Sequence, residues 1–264
     1  MKPLLVARVV AGFLASIASI ACAAPARAAD MPVAVPYAPV ARPLYDWTAC
    51  YGGFNIGGGA AKKSFIDVNG EFGPIGGDLG AHTARGVVGG GQAGCDYQAG
   101  MFVFGVQGLF DASGMKGSNL LPNPVPVVGP PFLLAASSNS FVQWFATATA
   151  RAGVLAAPTL LLYAKAGGAW AHDVYNIAVF NSALPSALGS ATPSGWTAGL
   201  GLEWAFFGGN FTAFAEYDYA SFGTTRVNYT AVAAPGFTFP LDVRQSVNLF
   251  LFGINYRFGP AGGY

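Results

Sequence analysis

The residue types that do chemistry are scarce in this 264-residue chain: two histidines, His82 and His172, and three cysteines, Cys22, Cys50 and Cys95. A nucleophilic triad needs a histidine in hydrogen-bond reach of a hydroxyl and a carboxylate, and nothing in the sequence supplies such a set. The cysteines lie far apart and no histidine-rich spacing accompanies them, which argues against a metal centre. The glycine runs 57–59 and 89–91 lack the lysine and following helix of a phosphate loop. No catalytic site, metal or cofactor is expected. Two chemistries remain: a disulfide between Cys50 and Cys95, and ion pairing among Asp111, Arg151, Lys165, Glu203, Glu216, Asp218 and Arg257, with Gln107 beside them. Both depend on where the surrounding elements aim these side chains.

The chain opens as an exported protein does. Lys2 and Arg8 precede the apolar run Val9 to Ala24, and Ala26 and Ala28 are spaced as a cleavage site. Residues 1–28 read as a signal peptide cut after Ala28. An uncleaved anchor and a lipoprotein at Cys22 are the alternatives; Ser19 stands where a lipoprotein usually carries a bulky aliphatic residue. Cleavage leaves ten basic against twelve acidic residues, a net charge of about −2, and nothing in that balance suggests nucleic acid as a partner. Residues 29–46, rich in Pro and Ala, read as an extended periplasmic spacer.

The composition is 53% hydrophobic and 9% charged, against about 25% charged in soluble domains. Yet no 18-residue apolar helix follows the signal peptide. An exported, apolar, glycine-rich chain of this kind has one good physical solution, a closed β-barrel in lipid, in which every backbone N–H and C=O is paired without water. Eight alternating segments support it: Trp47 to Gly57, Gly86 to Tyr97, Phe102 to Ala112, Trp144 to Leu155, Leu160 to His172, Trp196 to Phe206, Phe211 to Phe222 and Val247 to Phe258. The connections 98–100, 156–159 and 207–210 are short. Those at 58–85, 113–143, 173–195 and 223–246 are long, and they alternate with the short ones as extracellular loops alternate with periplasmic turns. The expected fold is all-β: an eight-stranded antiparallel up-and-down transmembrane β-barrel over 47–258, with a short tail at 259–264.

Alternation then assigns the faces. Phe250, Phe252, Ile254, Tyr256 and Phe258 face lipid, and Asn255 and Arg257 face inward; Trp196, Leu200 and Trp204 oppose Glu203; Tyr217 and Tyr219 oppose Glu216 and Asp218. His82 falls in the first long loop and His172 on the lipid face, neither among the inward carboxylates. Eight strands leave an interior only wide enough for side chains, so the charges are expected to pair as a plug; a small gated ion path is the sharper alternative. An arginine at Leu200 or Ala215 is expected to be costly, and one at Gly199 milder provided it clears its neighbours. If Gly59 pairs with Gly86, Cys50 falls directly opposite Cys95. Both then face outward near the periplasmic rim, in an oxidising compartment.

Several stretches carry a family resemblance: "YDWTACYGGFNIGGG" (45–59), "GGGQAGCDYQ" (89–98), "FVFGVQGLFD" (102–111), "ATARAGVLAAPTLLLYAKAGGAWA" (148–171), "GWTAGLGLEWAF" (195–206), "FTAFAEYDYASFG" (211–223) and "LFGINYRFG" (251–259). In that order, and across essentially the whole mature chain, they resemble the alphaproteobacterial outer-membrane β-barrel surface antigens, often labelled a porin family and similar to the OmpA-like transmembrane domain. The resemblance implies an abundant, immunogenic outer-membrane protein without established enzymatic activity. The partners expected are outer-membrane lipid, lipopolysaccharide and the outer-membrane assembly machinery, for which Tyr256 and Phe258 provide the aromatic end signal. The apolar stretch 120–136 is not part of that pattern. A structural barrel with surface loops is the leading expectation; a narrow selective porin or ion channel, and a soluble lipocalin-like binder, are the rivals.

Overall fold

The computed structural model describes residues 45–70, 72, 74–121, 125–126, 133–134, 136–179, 186–206, 210–234 and 236–258. The signal peptide, almost all of the spacer and the tail 259–264 lie outside the described residues.

Among the described residues twelve strands are formed: β1 (Ala49–Asp67), β2 (Asp78–Ala99), β3 (Phe102–Ser113), β4 (Lys116–Leu120), β5 (Val125–Pro126), β6 (Leu133–Leu134), β7 (Ala136–Ala157), β8 (Leu160–Val179), β9 (Ala187–Ala191), β10 (Ser194–Phe206), β11 (Phe211–Ala231) and β12 (Thr238–Phe258). Two pairs are single strands with an interruption. β4 takes over from β3 between β2 and β7 after Gly114 and Met115. β9 precedes β10 against β8, and the register carries through unchanged across Thr192 and Pro193. The ring therefore has eight walls, every neighbour antiparallel, and β12 closes it against β1, with Cys50 facing Phe258 and Asp67 facing Leu241. β5 and β6 form a separate two-stranded ribbon.

Alternation drives this fold. Along β12 the side chains of Phe250, Phe252, Ile254 and Phe258 are exposed on the outer wall, while Leu249, Leu251, Asn255 and Arg257 are buried inside. Phe54, at 81% exposure, stands out from β1 in the same way. Burial on the inside and apolar exposure on the outside is the reverse of a soluble barrel and fits a wall solvated by lipid.

The strands run well past the segments expected for them. β1 continues ten residues beyond Gly57, to Asp67, and β2 starts at Asp78, eight residues before Gly86. Residues 58–85 are thus mostly strand, and the same correction holds for 173–195, 223–246 and much of 113–143. The reason is physical. Beyond the lipid the outward positions become polar, while the inward positions of the same strands turn apolar. Lys62, Ser64, Arg226, Asn228, Asp242 and Arg244 point out. Phe65, Tyr175, Val227, Tyr229, Leu241 and Val243 are buried within. The period of two survives but its phase inverts, so a search for apolar-out strands ends where the membrane ends.

Candidate functional site

The interior is filled in layers. Near the end of the barrel with the short turns, β2, β7, β10 and β12 aim Asp96, Arg151, Glu203 and Arg257 at one another. Arg151 donates from Nε to Asp96 Oδ1 (2.7 Å) and from Nη1 to Glu203 Oε2 (3.0 Å). Arg257 reaches Asp96 Oδ2 (2.7 Å), Glu203 Oε1 (3.3 Å) and the carbonyl of Trp47 (2.6 Å). Glu203 also accepts from Asn255 (3.1 Å) and from the Thr212 hydroxyl. Both guanidiniums stack on rings: Arg151 lies 4.7 Å from the Tyr51 centroid and Arg257 4.9 Å from Trp47. Two carboxylates and two guanidiniums in alternation balance each other's charge, the condition under which buried ions are tolerated.

One step around the wall, Lys165 of β8 pairs with Glu216 and with Asp218 (2.9 Å), and Tyr163 donates to Glu216 (2.7 Å). Asp111 joins neither ion-pair group; its partner is Asn55, which also binds Gln92 (2.8 Å). Gln92 donates in turn to Asn255 (2.6 Å), tying this amide chain to the first group. Of the seven expected lumen residues, six therefore enter ion pairs and Asp111 sits apart. Gln107 accepts from Lys165 at 3.5 Å.

Asp96 was missing from the expected set although it sits between both arginines. The signal was present: Cys95 and Tyr97 face outward, so the residue between them must face in. Lys63 and Asp173, an ion pair at 2.8 Å in the upper interior, were also missed because both fell in presumed loops. His82 is corrected with them. It is an inward residue of β2 rather than a loop residue, bonded to Asn119 (2.8 Å) and Ser140 (2.7 Å). His172 lies on the outer wall, stacked on Trp144 and bonded to Thr192.

Between the polar layers lies an apolar one, which the expectation of a polar lumen overlooked. Leu109, Met115, Phe145, Phe214, Phe222 and Leu249 belong to one buried cluster across the bore. Inward glycines make room for these contents. A Cβ on Gly199 would come within 2.0 Å of Asp218 Oδ1, and one on Gly201 within 2.4 Å of the Tyr163 ring. The proviso on Gly199 therefore fails: an arginine there does not clear its neighbours.

On the outer wall Cys50 and Cys95 are direct register partners and are joined by a disulfide across 45 residues of sequence. Tyr256 and Phe258 close β12 with edge-on rings 5.1 Å apart.

The 31 kDa outer-membrane immunogenic proteins of Brucella melitensis biotype 1 and Brucella suis biovar 1 are each 35% identical to this chain over 218 residues, covering 80% of it and 86% of their own length. The chain belongs to this outer-membrane immunogenic protein family. It is accordingly an outer-membrane protein. No family model matches it. Among solved structures it is similar to Ail of Yersinia pestis (13% identity, 80% of this chain and 100% of that one, TM-score 0.39) and to OprG of Pseudomonas aeruginosa (13%, 81% and 98%, 0.46). It is also similar to the outer membrane protease OmpT of Escherichia coli (7%, 80% and 97%, 0.45). At these levels of superposition none of the three informs the chemistry.

Proposed function

We propose that this member of the family is a non-catalytic, non-conducting barrel. It holds extended hairpins at the cell surface, contributes to envelope integrity and serves as a surface antigen; its relatives are named outer-membrane immunogenic proteins. The observation that carries this reading is the filled bore. A paired charge layer lies beneath a cluster of buried apolar side chains, Phe145, Phe214, Phe222 and Leu249 among them. An ion crossing would have to shed most of its water into a layer whose buried side chains are largely apolar, at a cost of several kcal/mol. Nor is either imidazole hydrogen-bonded to a carboxylate among the described residues: the partners are Asn119, Ser140 and Thr192. Refolded protein in planar bilayers should produce no discrete current steps above the lipid baseline. Reproducible unitary conductance from the purified mature barrel would overturn the sealed-bore reading and favour the narrow channel.

A further inference from the structure

Lys63, Arg151, Lys165 and Arg257 are buried inside the barrel. Every other described cation, Lys62, Arg85, Lys116, Arg226 and Arg244, stands exposed on the outer wall. These five are neighbours. Arg85 of β2 faces Lys116 of β4 directly. Lys62 of β1 faces Thr83, two residues from Arg85, and Ser64, two residues from Lys62, faces Arg244 of β12. Arg226 of β11 faces Asp242, two residues from Arg244. Each is thus opposite or diagonal to the next, diagonal positions lying about 7–8 Å apart.

The diagonals also step the same way, toward the periplasm by two residues from β11 to β12, from β12 to β1 and from β1 to β2. The barrel's own tilt steps in that sense. Ala49 faces Asp96 while β2 runs on to Ala99; Phe102 faces Val154 while β7 runs on to Ala157; Phe211 faces Tyr256 while β12 runs on to Phe258. A stripe that follows the tilt stays level with the membrane plane. It also lies just past the point where the outer wall changes from apolar to polar, with Phe54, Ile56, Val87 and Phe250 exposed below it.

Little among the described residues neutralises this belt. Asp242 is taken by Arg226 (2.9 Å), and Asp78, at the head of β2, accepts from the backbone of Gly80. Lys116 lies over the Phe141 ring at 5.4 Å. Among the described residues Lys62, Arg85 and Arg244 have no ion pair or side-chain hydrogen bond. Across the barrel, at β7, β8 and β9, the outer wall beyond the lipid carries Asn139, Val174, Asn176 and Ser190, and no cation among the described residues.

We infer that the wall formed by β11, β12, β1, β2 and β4 is a docking surface for a phosphorylated glycolipid of the outer leaflet, of the lipid A kind. Its phosphates sit among Lys62, Arg85 and Arg244, and its acyl chains lie on Phe54, Ile56, Val87 and Phe250. Charge complementarity at one level of the wall, with an apolar surface directly beneath, matches an amphiphile with an anionic head and identifies no soluble anion. The inference rests on the reading that the extended hairpins face outward.

The test uses the mature folded barrel in detergent micelles, titrated with diphosphoryl lipid A and with its dephosphorylated form, bound lipid being counted by native mass spectrometry. The wild type should prefer the phosphorylated lipid. The triple variant Lys62→Gln, Arg85→Gln, Arg244→Gln should bind it at least about tenfold more weakly, while Asn139→Gln with Asn176→Gln binds as the wild type does. Should the triple variant not fold, as read by heat-modifiable migration, Arg244→Gln alone should still weaken binding. Undiminished binding by the charge variants, or no preference for phosphate in the wild type, overturns the site. Orientation is read separately, from antibody labelling on intact cells of an epitope placed between β1 and β2. An unlabelled epitope would put the belt at the inner leaflet and overturn the assignment, whatever the micelle result.

Discussion

Glu203 accepts from four side chains of the interior, Arg151, Arg257, Asn255 and Thr212. Removing its charge leaves two buried guanidiniums sharing Asp96 alone. Glu203→Gln is therefore expected to destabilise the barrel by about 3–5 kcal/mol, the cost of breaking a buried pair from one side. Urea unfolding in lipid vesicles, followed by tryptophan fluorescence, measures it. Arg226→Ala breaks an ion pair of similar geometry on the exposed wall, where water screens it, and should leave the same transition where it was. A Glu203→Gln midpoint equal to the wild type would mean that the layer is not held by its charges. At this scale alternation alone was a good guide, since Glu203, Glu216, Asp218, Arg151, Lys165 and Arg257 all lie on the inner side it gave them. It did not say which charges meet. Asp111 goes to Asn55 instead, because partners are set by cross-barrel neighbours that no single strand reveals.

Each strand carries two regimes, one solvated by lipid and one by water, and the side chains change phase between them. The lipid regime was legible because exposed aromatics alternate with small and polar residues. The upper regime was not, because Lys62, Ser64 and Ile66 outside and Lys63, Phe65 and Asp67 inside give a mixed pattern on both faces. The two regimes predict a depth-dependent response to charge. Leu200, 66% exposed between Trp196 and Trp204 on the outer wall of β10, lies at mid-membrane. Leu200→Arg should cost about 2–4 kcal/mol, whereas Ser246→Arg, opposite Lys62 in the register and two residues from Arg244, lies near the membrane edge and should cost about 0–1 kcal/mol. Folding yields into vesicles compare the two directly, and equal yields would contradict the placement of the membrane edge. Gly199→Ala belongs to the same experiment as a packing control. Its added Cβ meets Asp218, so loss of yield is expected although the residue carries no charge.

The molecule as a whole is a ring, and a ring answers the loss of one cross-link differently from an open sheet. β1 is held on one side by β2 and on the other by β12, over nearly its full length on each. The Cys50–Cys95 bridge adds a covalent tie between partners the register already places opposite one another. Its contribution must come mainly from the unfolded chain, where it closes a loop of about 45 residues, worth roughly 4 kcal/mol in the chain-entropy model. Cys50→Ser with Cys95→Ser should therefore still fold, and still show the faster gel migration of a closed barrel before heating, but lose that form at a lower temperature or urea concentration than the oxidised wild type. The bridge itself is read by mass spectrometry of native, non-reduced, alkylated protein, in which carbamidomethyl on both cysteines would remove it. If the bridge is present and the double variant does not fold at all, closure depends on the covalent tie. The β1–β12 seam would then be too weak to hold the ring by hydrogen bonding and packing alone.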